Sequence, residues 1–98
     1  MTSVWTHRTW VVKPGMEDAF VAAWAKLANG ATARFGTERP TLLHDRDRPN
    51  VFETFGPWPS IEAVEEFRAS DLFRDGIAQT QPLLESFEPM TLDEIEWT

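Results

Sequence analysis

Two histidines, His7 and His44, are the only side chains in this sequence whose ordinary pKa lies near neutrality. The chain has no cysteine and no tyrosine. That removes a thiolate nucleophile, a disulfide framework and any cysteine-based zinc or iron–sulfur site. His7 stands in "VWTHRTWVVK", an apolar, β-branched stretch, where a buried imidazole needs a polar partner. Two readings stay open for it: a structural ring bonded to a neighbour, or a general base facing a pocket. His44 adjoins the charged run "HDRDR" and reads as an exposed residue. No HExxH pair, His–carboxylate cluster at metal spacing, nucleophile-elbow glycine pattern or glycine-rich phosphate loop is present. The sequence therefore predicts neither a metal site nor a bound cofactor. Glu65-Glu66 and Asp93-Glu94 are adjacent in sequence and read as solvated faces, not as converging acid–base pairs.

The tryptophans carry the other chemical signal: Trp5, Trp10, Trp24, Trp58 and Trp97. Packing in a core is the ordinary role of such residues. Trp5 and Trp24 are nevertheless predicted to meet between a strand and a helix, with Trp58, in "FGPWPS", at the mouth. Apolar cavities walled by aromatic rings suit flat aromatic ligands.

Composition narrows the class. Sixteen acidic residues against nine basic ones give a net charge of −7, which disfavours phosphate backbones and anionic lipid surfaces. No apolar run approaches the roughly 20 residues that span a bilayer. The N-terminal "MTSVWTHRTWVV" lacks a basic leader with an apolar block, so the expectation is a cytoplasmic protein. Ninety-eight residues make a single domain, 1–98. A chain this short buries only about 60–65% of its unfolded surface, so association with a second copy is expected to help stabilise it.

The elements that must position these residues follow from periodicity. Residues 4–13 form a strand that ends at "PG"; both of its faces carry large apolar groups, as expected for a central strand. From Met16 to about Phe35, Phe20, Trp24, Leu27, Ala28, Ala31 and Phe35 make one helical stripe, although Asn29-Gly30 weakens its last turns. Residues 40–47 and 51–56 read as a hairpin. Ser60 caps a helix with Ile61, Val64 and Phe67 inward. Ser70-Asp71 opens a second helical piece with Leu72, Phe73, Ile77 and Leu84 inward. The tail "EPMTLDEIEWT" is a last strand. The order β-α-β-β-α-β predicts an α+β, ferredoxin-like fold: a four-stranded antiparallel sheet with helices on one face.

At "KPGMEDAFVAAW" and "FGPWPSIEAVEEFRASDLF" the sequence resembles the antibiotic biosynthesis monooxygenase family, over nearly the whole chain. The resemblance implies a homodimer in which two sheets face each other to form a dimeric α/β barrel, with a ligand cavity between sheet and helices in each subunit. It implies that Trp58 borders that cavity, and it places His7 where some relatives carry a pocket asparagine. Haem-degrading relatives carry an axial histidine four residues after the phenylalanine of "S-D-L-F"; this chain has Ile77 there.

The resemblance implies a cofactor-independent monooxygenase acting with O2 on a flat, electron-rich aromatic such as an anthrone or quinol. His7 would be the catalytic base, and Trp5, Trp24, Trp58, Phe73 and Ile77 would hold the substrate ring, with Arg8 balancing charge. The alternative is a non-catalytic dimeric barrel that binds a small hydrophobic molecule or has a structural role; the missing tyrosine favours it. The face of the first strand bearing Val4, Thr6, Arg8, Trp10 and Val12 is expected to close the dimer.

Overall fold

The structure, a computed structural model, describes residues 3–98. Strand β1 (Val4–Val12) turns at Gly15 into helix α1 (Glu17–Phe35). Glu17 and Asp18 occupy the first turn of α1, where the helix dipole favours acids. The helix ends at Gly36, whose φ of 64° is the left-handed conformation that glycine adopts without steric cost.

Asn29-Gly30 does not interrupt α1. Gly30 faces the next helical layer, where a Cβ would lie 2.8 Å from Leu72 Cδ1. The glycine costs helix propensity and permits close packing in exchange.

Strands β2 (Thr41–His44) and β3 (Val51–Trp58) form the hairpin. Its turn is more ordered than a solvated charge run. Asp45 accepts hydrogen bonds from the backbone N–H groups of Asp47 and Arg48 and pairs with the Arg48 guanidinium. The Arg48 side chain, followed by these backbone bonds, holds the Asp45 carboxyl below its usual range. Strand β3 runs two residues beyond the expected end, so Trp58 closes the strand instead of following it. Helices α2 (Ile61–Arg68) and α3 (Asp71–Thr80) begin at Ser60 and Ser70, whose hydroxyls accept from Ala63 N–H and Phe73 N–H. A short 3₁₀ turn containing Pro82 leads to β4 (Leu84–Asp93). Leu84 thus opens a strand and does not extend the helix as its spacing suggested.

The strands pair antiparallel in the order β2-β3-β1-β4, the ferredoxin-like arrangement, with β1 central and β2 at an edge. One aromatic cluster joins Trp10, Val12, Phe20, Phe52 and Leu84, with Trp24 and Ile77 against it. A second joins Leu27, Ala31, Trp58, Val64 and Phe67, with Leu72 and Phe73 against it.

These clusters overturn one expectation. Val12 and Trp10 are 0% and 1% exposed beneath the helices, so the face of β1 carrying Val4, Thr6, Arg8, Trp10 and Val12 packs inward and does not close a dimer. The opposite face bears Trp5, His7, Thr9 and Val11, and beside them the exposed Leu43, Met90 and Leu92. Both faces of β1 are rich in apolar groups, and alternation alone does not say which one meets the helices.

Candidate functional site: a tryptophan-walled cavity

A cavity of about 60 Å³ lies between the sheet and α1. Trp24 and Ala28 wall it from the helix, Trp10 and Trp58 from the strands, and Phe67 from α2. The polar edges of both strand indoles are already used. Trp58 Nε1–H donates to Thr6 Oγ1 at 3.0 Å, and Trp10 Nε1–H donates to Thr54 Oγ1 at 3.0 Å. Each bond spans two strands and fixes the indole so that it presents carbon to the cavity. Phe67 backs Trp58 at a centroid distance of 5.1 Å.

The link 36–40 forms the rim. Thr37, Glu38, Pro57 and Trp58 line the cavity and also a neighbouring groove of about 240 Å³. Neither space alone reaches the roughly 300 Å³ at which small-molecule sites begin, whereas the two joined would approach it. A bicyclic ligand therefore needs this rim, or Trp58 itself, to move.

Arg8 is the one basic side chain in the cavity wall. Its guanidinium carbon lies 5.3 Å from the centroid of Phe73 and 6.0 Å from that of Trp10. Burial, and then the neighbouring charge of Arg68, push its pKa down to about 10. It thus stays protonated at neutral pH, at an energetic cost. Its Nε is buried and has no hydrogen-bond partner among the described residues.

The structure separates the expected site residues. Trp24 and Trp58 line the cavity together. Phe73 reaches the site through Arg8, and Ile77 packs against the Trp10 cluster. Trp5 and His7 lie on the opposite face of the sheet, because odd residues of β1 point away from the helices. Trp5 donates to Glu94 there and does not meet Trp24. His7 Nε2 lies 2.8 Å from Glu53 Oε1, and its ring stacks on Phe55 at 4.3 Å. Thr9 donates to the same carboxylate oxygen at 2.6 Å. The expectation that His7 and Trp58 share a cavity is corrected by this strand parity. His44 stacks on Phe52 at an exposed sheet end. Thr54, not singled out from sequence, and Thr6, named there only as part of an expected interface, were readable in principle as same-face neighbours of Trp10. Among the described residues no cluster of three His, Asp or Glu side chains could hold a metal ion. No helix among them is long and apolar enough to cross a membrane.

The fold and site define a class: a ferredoxin-like domain with a small aromatic-walled cavity under its helices. The sequence model of the family described as antibiotic biosynthesis monooxygenase matches residues 3–79. The chain belongs to that family. A solved protein from Shewanella oneidensis is 26% identical, with a TM-score of 0.84 over 95% of this chain and 91% of that one. SnoaB from Streptomyces nogalater, described as a cofactor-independent oxygenase, is 22% identical, with a TM-score of 0.87 over 98% and 95%. Rv0793 from Mycobacterium tuberculosis is 20% identical, with a TM-score of 0.84 over 97% of each chain. A search of curated proteins gives no match.

Proposed function

We propose that this protein is a homodimeric monooxygenase that oxidises a flat, electron-rich aromatic with O2 in the cavity between its sheet and helices. The observation that carries the reading is the set of indole faces around that space, Trp10, Trp24 and Trp58, two of them locked by strand threonines. SnoaB, of the same fold, is an oxygenase that needs no cofactor, and the same economy is proposed here. The substrate then supplies all the electrons. For an anthrone-type substrate, two C–H bonds at one carbon break and a C=O bond forms. One oxygen atom of O2 is retained, and the other leaves as water with the two protons. The four electrons lost by carbon are those that reduce O2. The chain contributes binding, orientation and exclusion of water by Trp24, Trp58 and Phe67.

The proposed dimer uses the open sheet face. Leu43, Met90 and Leu92 are 49%, 39% and 41% exposed there, around Phe55 and His7. A second copy laid on this face would remove an apolar surface from water without touching the cavity.

Oxygen-electrode measurements with anthrones and quinols test the activity. Enzyme-dependent uptake that is lost in Ala28→Leu, which fills the cavity, is the expected result. Aromatic binding with no uptake would favour the alternative, a non-catalytic small-molecule barrel. One observation supports that alternative: among the described residues Glu38, at the rim, is the only carboxylate in the cavity lining, and no histidine lines it.

A further inference from the structure

We propose that the ligand of this cavity carries an anionic oxygen beside its aromatic ring, and that Arg8 holds that oxygen. The inference rests on the reading of the cavity as an aromatic-ligand site and specifies what that ligand must be. It starts from an imbalance. The chain has 16 carboxylate side chains against 9 cationic ones, yet among the described residues none pairs with Arg8. Arg48 pairs with Asp45 and Arg74 with Asp71, whereas Arg34, Arg39, Arg46 and Arg68, like Arg8, have no acid partner among the described residues. Of these unpaired arginines, Arg8 is the one that lines the cavity.

The surroundings of Arg8 hold it in place without neutralising it. Phe73 and Trp10 present their rings to the guanidinium, an attraction that leaves its N–H donors free. The charge that acts on it is another cation, Arg68, which donates to Thr91. Glu38 is the only acid among the cavity-lining residues and it sits exposed at the rim. The buried Nε–H is therefore a donor awaiting an acceptor. A buried donor left unpaired is costly; Nε itself is enclosed, so a ligand oxygen recovers that cost only if the side chain shifts to meet it, and the terminal guanidinium nitrogens meet the ligand first. A neutral hydrocarbon would stack on the indoles and leave the cost in place.

This arrangement also supplies what the cavity lacks. No histidine lines it to take a proton from an acidic substrate. An opposite charge within about 4–6 Å lowers an acid's pKa by roughly 1–3 units, so a phenol or enol beside Arg8 ionises more readily to solvent. Arg8 is thus assigned as the group that selects and stabilises the ionised ligand.

Paired probes of one shape test this: 2-naphthoate, an anion, and 2-naphthamide, its neutral counterpart. Binding is followed by tryptophan fluorescence at neutral pH. The wild-type protein should bind the naphthoate about tenfold or more tightly than the amide, as a charge-assisted hydrogen bond in a buried site allows. Arg8→Met, which keeps length and apolar bulk, should bring the two affinities within about twofold, and Arg8→Lys should restore part of the preference. The proton resonance of Arg8 Nε–H in the wild-type protein gives a readout that needs no variant; it should shift with naphthoate and not with naphthamide. Equal affinity for both probes in the wild type overturns the anion assignment and leaves the aromatic cavity standing. A naphthoate preference that survives in Arg8→Met also overturns it. Failure of both probes to bind overturns the aromatic-cavity reading together with this one.

Discussion

Arg8→Met should stabilise the unliganded protein, an unusual outcome for a substitution at a half-buried site. Arg8 is half-buried, with its Nε enclosed beside Phe73 and Trp10, and desolvation is the main reason that its pKa falls to about 10. A fall of that size, at about 1.4 kcal/mol per pKa unit, means that the charged form costs the folded state roughly 3 kcal/mol. The sign follows from linkage. A cation with a lowered folded-state pKa destabilises the fold while both states are protonated, and stability rises as pH climbs from the folded value toward the unfolded one. At neutral pH the full penalty is present. Methionine removes it, keeps most of the packing against Phe73, and forfeits a cation–π attraction of about 1 kcal/mol. A net gain of about 1–2 kcal/mol remains, which for a domain of this size raises Tm by roughly 5–10 °C. Differential scanning calorimetry of both proteins at pH 7, without ligand, measures it directly. An unchanged or lower Tm would show that Arg8 is already satisfied in solution, and the reasoning from its unpaired Nε would fail.

Gly76→Ala should destabilise the protein by about 1–3 kcal/mol in urea unfolding, although alanine is the better helix former, because a Cβ there would overlap the buried Leu27 side chain. Met90→Glu should turn a dimer into monomers by light scattering while leaving the fold intact, whereas Trp10→Glu should unfold the chain; a Met90→Glu protein that remains dimeric would exclude the open face as the interface. His7→Ala should leave substrate turnover within about twofold, measured where assembly is complete, and should lower stability by about 1 kcal/mol through the lost bond to Glu53. A hundredfold loss of turnover would restore His7 as the general base.

The elements of this protein are legible in its sequence because their signals are local. The stripe of Phe20, Trp24, Leu27 and Ala31 records a 3.6-residue period, and Ser60 and Ser70 mark helix starts by a hydroxyl that accepts a nearby N–H. Their order is enough to give the ferredoxin-like sheet, whereas "FGPWPS" places Trp58 at a cavity only through the family resemblance. What the sequence leaves undetermined is which side of β1 the helices cover. A strand of period two sorts Trp5, His7 and Val11 from Arg8, Trp10 and Val12, but both sets are apolar enough to be buried, so composition does not break the tie. Packing breaks it: Trp10 fits against Phe20 and reaches Thr54 with its indole N–H, contacts made across α1 and β3. That single choice sends His7 to the open face with Glu53, and turns Arg8 from a residue of an expected interface into the unpaired cation of the cavity. Local periodicity is written along the chain. The orientation of a two-faced strand is a property of everything packed against it, and only the tertiary structure decides it.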